Sequence, residues 1–310
     1  MIDPGSGRTC VVLGPLLFLT VTIELEGERP RVHLHPGGQG FWIARMVRVL
    51  GDRARLVAPI GGEAGDVVSA LVPAWEIELE AVRGSLSTPT QVHDRRDGER
   101  FEIVGIEMPE LDRHESDDLY AAALKAGLAA HLVVLTAASA SILPFDAHGR
   151  LVHDLNAQGI PVVADMHGEA LDAVLEAGSI EVLKVSEDDL VQDGWDMGSE
   201  AQAVAAARRL AERGAGAVVI SRGADPAVAI AGGKVMRIEP PALTEVDHAG
   251  AGDSMTAGIA VGRMRGLSAI DAIKLGAAAG AGNAIRHGLG SGSRDLIGEL
   301  TGLVEMEEVS

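Results

Sequence analysis

Sulfur, aromatic rings and positive charge are all scarce in this chain. One cysteine, Cys10, stands among 310 residues, which excludes an intrachain disulfide framework and a metal site built from several cysteines. Aromatics make up 3%, so the core must be assembled from Val, Leu, Ile and Ala. Lys and Arg number 26 against 45 Asp and Glu, a formal net charge of −19 that argues against a general nucleic-acid binder. It leaves a nucleotide possible, because one local anion site can oppose the global sign. Long apolar runs are missing as well. The stretch from Val11 to Val21 is interrupted by Gly14, Pro15 and Thr20, is too short to span a bilayer, and starts without a basic flank. It reads mostly as a buried first strand and its exit. No other segment has the pattern of a membrane span, so a cytoplasmic protein without a membrane partner is expected.

What is present is a 47% hydrophobic chain, enough for a substantial core in one large domain or a core with a smaller appendage. "TCVVLG" reads as a strand, "TVTIELEGERPRVHLHP" as a hairpin candidate, and "PGGQGFWIARMVRVLG" as a Gly-rich turn entering a helix. Ile43, Met46, Val47 and Leu50 share one face of that helix. Residues 75 to 107 differ: "WEIELEAV", "TPTQVHD" and "ERFEIVGIE" read as short strands, with Asp97-Gly98 favouring a hairpin tip. They suggest a small sheet over a larger body. From about 117, helical and strand patterns alternate through "HLVVLTA", "IPVVADM", "IEVLKVS" and "AGAVVIS", which argues for a mostly parallel sheet covered on both faces. After Asp253 the chain reads as largely helical.

The chemistry concentrates in "EVDHAGAGDSMTAGIAVG", residues 245 to 262. Gly250, Ala251 and Gly252 precede Asp253 at the start of a helix-like run. A carboxylate there can accept a hydroxyl proton. The amides of Ala251, Gly252 and Asp253 can face phosphoryl oxygens, and glycines let the backbone come close. A helix cap followed by close packing is the rival reading, since Asp is a good N-cap.

The stretch "VDHAGAGDSMTAG" resembles the second signature of the PfkB-type carbohydrate kinases, also called the ribokinase-like family, and "HPGGQGFWIARMVRVLG" resembles the first. The likeness is closest to the phosphofructokinase and tagatose-phosphate kinase branch. It implies a single α/β domain over residues 1–310, a ribokinase-like three-layer sandwich, with a β-rich lid formed mainly by about 15–35 and 75–107. It implies ATP and Mg2+ as cofactors, with magnesium held largely through water and ATP oxygens and no dedicated protein metal site. Asp253 becomes the general base for phosphoryl transfer to a sugar or sugar-phosphate hydroxyl. Between the signatures, "EVLKVSEDDL" resembles the family's nucleotide-side acidic motif, with Ser186 at the usual asparagine and Asp189 at the usual glutamate; Lys184 approaches ATP phosphates or is a solvent-facing partner to nearby acids. Ser221, Arg222 and Gly223 resemble the later nucleotide-binding turn. Asn283 reaches adenine or ribose, or else caps and packs; His248 is a nucleotide contact, and Asp247 orients the loop or a cation.

The acceptor side departs from the pattern. Gly14 and Phe18 replace the asparagine and the acid of the opening strand exit. The first signature reads Gly37-Gly38-Gln39-Gly40 with Gln39 in place of lysine and Trp42 in place of asparagine, and Thr88-Pro89 replaces a Thr-Arg pair. Glutamine hydrogen-bonds a phosphate without supplying lysine's charge. His93, Arg95 and Arg96 compensate from the lid or are simply an exposed hairpin. Phe18 and Trp42 line a less polar pocket or belong to the core. Two readings follow: a carbohydrate kinase with an unassigned acceptor, and a catalytically weak nucleotide- or sugar-binding regulatory homologue. A purely structural protein is disfavoured by the terminal cradle. Exposed edges of the small sheet make a homodimer through the lid a third expectation.

Overall fold

The computed structural model describes residues 7 to 309 apart from 245, 247 and 287. The chain opens with β1 (Thr9–Leu13), the hairpin β2 (Phe18–Glu26) and β3 (Arg29–Gly37), then α1 (Gln39–Val49), β4 (Arg53–Ile60) and α2 (Gly62–Leu71). After a 3-10 turn come β5 (Ile77–Arg83), β6 (Thr90–Asp94) and β7 (Phe101–Val104). Helices and strands then alternate through α3 (Arg113–Leu128), β8 (Leu132–Thr136), α4 (Phe145–Ala157), β9 (Val162–Asp165), α5 (Gly168–Ala177) and β10 (Val182–Ser186). The short α6 (Glu187–Gln192) leads to α7 (Glu200–Glu212) and β11 (Ala217–Arg222). The last part holds β12 (Asp225–Ala231), β13 (Lys234–Glu239), α8 (Ala251–Met264), α9 (Ala269–Ala284), α10 (Arg294–Leu303) and β14 (Glu305–Val309).

Among the described residues the strands form two sheets. The large one runs β14-β13-β12-β11-β10-β9-β8-β1-β4-β5. It is parallel from β11 to β5 and antiparallel from β11 to β14. Its central strands are continuous apolar runs because both faces are covered. In β1, Val12 enters the core shared with Ile43 and Met46 of α1, Ile259 of α8 and Ile273 of α9. Val11 and Leu13 enter the opposite core with Leu119 of α3, Leu151 of α4, Val174 of α5 and Leu210 of α7. The result is the expected three-layer ribokinase-like sandwich. No described helix is long and apolar enough to cross a membrane.

The small sheet runs β3-β2-β6-β7. The β2–β3 hairpin turns at Gly27, whose φ of 66° is in the left-handed region that favours glycine. One expectation needs correcting. Residues 77–83 do not join the small sheet; β5 pairs in parallel with β4 at the edge of the large one. Its alternation comes from an edge strand with one open face: Ile77 is buried, Leu79 packs on the core, and Glu78 pairs with its cross-strand neighbour Arg55 at 2.7 Å. The largely helical C-terminal part also ends in a strand, β14, paired with β13.

Candidate functional site

The carboxyl ends of β9, β10 and β11 open toward the start of α8. Ligands gather at such strand ends in open α/β sheets. Gly250 precedes α8 as its N-cap, and its φ of 76° lies in the left-handed region that favours glycine. A side chain there would also meet Leu289, 2.8 Å from the Cβ position. Asp253 is thus the third residue of the helix, half-buried and in the positive end of its dipole. The Ala251 amide donates to the His248 carbonyl at 3.2 Å, so it is not free to face a phosphoryl group as the sequence suggested. The amides of Gly252 and Asp253, in the first turn, have no intrahelical acceptor.

A buried network underlies this turn. The parallel register sets Lys184 of β10 opposite Asp165 of β9. The Lys184 Nζ donates to Asp165 Oδ1 at 3.3 Å, and Thr256 Oγ1 donates to Asp165 Oδ2 at 2.5 Å. Lys184, Asp165 and Thr256 are all nearly or fully buried. Lys184 also explains Gly252: a Cβ there would stand 2.9 Å from Nζ. Burial pushes the Lys184 ammonium down, but Asp165, Asp253 and Asp189 together push it up and prevail. Burial raises the Asp253 carboxyl from 3.8 to about 7, with repulsion from Asp165 adding to it and Lys184 opposing. Asp165 and Thr256 were not among the residues singled out from sequence. The only local signal was a lone acid ending the apolar run of "VVADM".

On the nucleotide side, Lys184, Ser186, Ser221, Arg222, Gly223 and His248 line one cleft with Ala251 and Gly252, and its volume is about 680 Å³. Pro240, Leu243, Met255, Ala281 and Ile285 give it an apolar wall. Such a mix of apolar wall and few polar groups suits a small ligand. Arg222 is held by Glu187 at 3.4 Å and by the Pro226 carbonyl, and Gly223 turns β11 into β12 at φ 60°. Two expected members of this set do other work. Asp189 closes a capping box on Ser186, accepting from its hydroxyl at 2.5 Å and donating its amide back at 3.1 Å. Asn283 is buried; its amide donates to Ala249 O at 2.8 Å and accepts from Ser291 N at 3.1 Å. It therefore ties the cradle loop to the loop after α9 and does not line the cleft. Asp247 lies outside the described residues.

On the acceptor side, the glycines of the first signature meet the protein itself. A side chain on Gly37 would collide with the ring of Phe18, and one on Gly38, at φ 119°, with the Leu16 carbonyl. Gly40 lies against Gly14, its would-be Cβ 2.6 Å from that Cα. Trp42 is buried beside Phe41, ring centroids 4.8 Å apart and edge-on, while Gln39 at the start of α1 is partly exposed. Thr88 accepts from the Gly61 amide at 2.9 Å. His93 is buried in β6 with Arg100 3.0 Å from Nε2; burial first, then Arg100, lowers its pKa. Arg95 and Arg96 pair with Glu24 and Asp94 of the same sheet.

A family model described as pfkB family carbohydrate kinase matches residues 10–295. The chain is 27% identical over 303 residues to the ATP-dependent 6-phosphofructokinase isozyme 2 of Mycobacterium tuberculosis, covering 94% of this chain and 88% of that protein. It is 30% identical over 255 residues to the 1-phosphofructokinase of Xanthomonas campestris, covering 77% and 79%. In three dimensions it aligns with phosphofructokinase-2 from Escherichia coli in complex with potassium at a TM-score of 0.85 and 23% identity, covering 96% and 99%. Arabidopsis thaliana ribokinase complexed with ribose and ATP aligns at 0.73 and 20%, covering 97% and 99%. These structures share its fold, and the family model spans both glycine signatures and all of the buried network. The chain therefore belongs to the PfkB family of carbohydrate kinases, close to its phosphofructokinase and 1-phosphofructokinase branch.

Proposed function

We propose that this chain transfers the γ-phosphoryl group of ATP to a hydroxyl of a sugar or sugar phosphate, with Asp253 as general base. The observation that carries this reading is the carboxylate in the first turn of α8, beside helix amides without an intrahelical acceptor and a buried lysine; burial pushes that carboxyl up to about 7. A base poised near neutral pH takes a hydroxyl proton as the acceptor attacks, and is the right strength to release it afterwards. The Gly252 and Asp253 amides and Lys184 supply fixed positive potential where phosphoryl charge builds. Arg222 and the apolar wall of the cleft fit a nucleotide's phosphates and base. Magnesium entering with ATP supplies further charge neutralisation there. The small sheet acts as the lid; Leu25, Val32, Leu34 and Phe101 leave it with exposed apolar side chains, which supports pairing through a second copy.

A second reading, a catalytically weak binding homologue, is favoured by Phe18. Its ring lies against the Gly37 backbone of the first signature, where the family pattern has an acid in place of Phe18. Acceptor-dependent ADP production from ATP and magnesium, measured over sugars, phosphosugars and nucleosides, separates the two. Turnover with at least one acceptor supports the kinase. Measurable ATP binding with no turnover on any of them favours the binding homologue.

A further inference from the structure

The carboxylate of Asp165 lies where a charge is costly unless both oxygens are held. One oxygen accepts from Lys184 at 3.3 Å. The other accepts from Thr256 at 2.5 Å, in the range of a charge-assisted O–H···O⁻ bond. Thr256 lies inside α8, where a threonine hydroxyl ordinarily turns back to the carbonyl one turn earlier. That carbonyl, Gly252 O, is 3.2 Å from Oγ1, so the hydroxyl's one proton has a choice of two acceptors and the shorter contact is to Asp165. The same helix therefore carries Asp253 in its first turn and, one turn on, the group that fixes Asp253's buried acidic neighbour.

We propose that Thr256 is a positioning residue for phosphoryl transfer: its hydroxyl locks Asp165 so that the other carboxylate oxygen holds Lys184 against Gly252 and the negative charge stays beside Asp253. This rests on the reading of Asp253 as the base, and it assigns how strongly that base holds its proton. The groups facing this network are Lys184 of β10, Asp165 of β9, and Asp253 and Thr256 of α8. Asp189 of α6 adds its charge at Lys184. His167, which follows β9, is turned to Asp193 at 3.0 Å and lies 3.9 Å from Asp189.

Thr256→Val keeps the side chain's shape and removes the donor. Without that donor the Asp165 carboxylate is free to turn and its hold on Lys184 loosens. Lys184 is then freed toward Asp253, and a cation closer to that carboxylate makes Asp253 more acidic. The test is a carboxyl-carbon NMR titration of Asp253 in the full chain, assigned with Asp253→Asn, for the wild type, Thr256→Val and Thr256→Ser. The expected result is a midpoint about one pH unit lower in Thr256→Val and wild-type behaviour in Thr256→Ser. With an acceptor in hand, Thr256→Val should lower kcat about tenfold or more and move its acid limb the same way, while Thr256→Ser retains most of both. An unchanged midpoint in a folded Thr256→Val variant, or equal shifts in both variants, overturns the proposal. The titration needs no turnover, so a chain that phosphorylates nothing would sink the kinase reading and still leave the role of Thr256 to be decided by the midpoint.

Discussion

The raised Asp253 carboxyl has a sign that two independent assays can read. The perturbation is pH. In an ordinary aspartate the titration is nearly complete by pH 5, so activity limited by its ionisation would be almost flat from pH 5 to 8. Here the proton is held to about 7, because burial and Asp165 disfavour the charge more than Lys184 favours it. The rate should therefore fall about tenfold per pH unit below 7, reaching about a hundredfold loss at pH 5. Stability runs the other way. Between 3.8 and about 7 the folded state binds the Asp253 proton more tightly than the unfolded chain, so this group's contribution is present below the lower value and is lost as pH rises through the upper. At 1.36 kcal/mol per pH unit the bound is roughly 4 kcal/mol at pH 8. Asp253→Asn cannot ionise, so its Tm should exceed the wild type's at pH 8 and match it near pH 4. Thermal unfolding of both proteins across that range checks the claim without an acceptor. An Asp253→Asn Tm that is no higher at pH 8 than at pH 4, relative to wild type, would refute the reasoning.

Other substitutions probe neighbouring parts of the account. Gly252→Ala puts a Cβ 2.9 Å from Lys184 Nζ, and should lower kcat about tenfold or more with little change in Tm, read by steady-state kinetics and calorimetry. Asn283→Ala removes both ties between the two loops and should cost about 1–3 kcal/mol in urea unfolding. Phe18→Ala uncovers the Gly37 backbone and should change the acceptor profile while leaving ATP affinity within about twofold; an unchanged profile would place Phe18 outside acceptor recognition. Val32→Glu together with Leu34→Lys should leave a monomer in sedimentation if the small sheet pairs two copies.

The large sheet and its layers were legible because their signal is local. Runs such as "HLVVLTA" and "IPVVADM" can be buried on both faces only in a covered parallel sheet. The first turn of α8 was legible as a candidate for the same reason: Gly250 through Asp253 are contiguous; that the Ala251 amide is taken by the His248 carbonyl was not legible. The buried network was not, because Thr256 and Asp165 are 91 residues apart and Lys184 meets Asp165 only through the register of two strands. Residues 77–83 misled because an edge strand with one wet face alternates just as a lid strand does. The sequence "EMEEV" of β14 carries too many acids to read as a strand, and its pairing comes from β13. On the acceptor side, the glycines were visible but their neighbours were not: Phe18, Leu16 and Gly14 fill the space that the motif alone left open.

The central claim is that Asp253 takes the acceptor's proton. The direct measurement is single-turnover phosphoryl transfer from labelled ATP to the best acceptor, for the wild type and Asp253→Asn, beside the ATP Kd of each. The account predicts a loss in rate of about a hundredfold or more with ATP affinity nearly unchanged. Transfer by Asp253→Asn at a rate near the wild type's would contradict it.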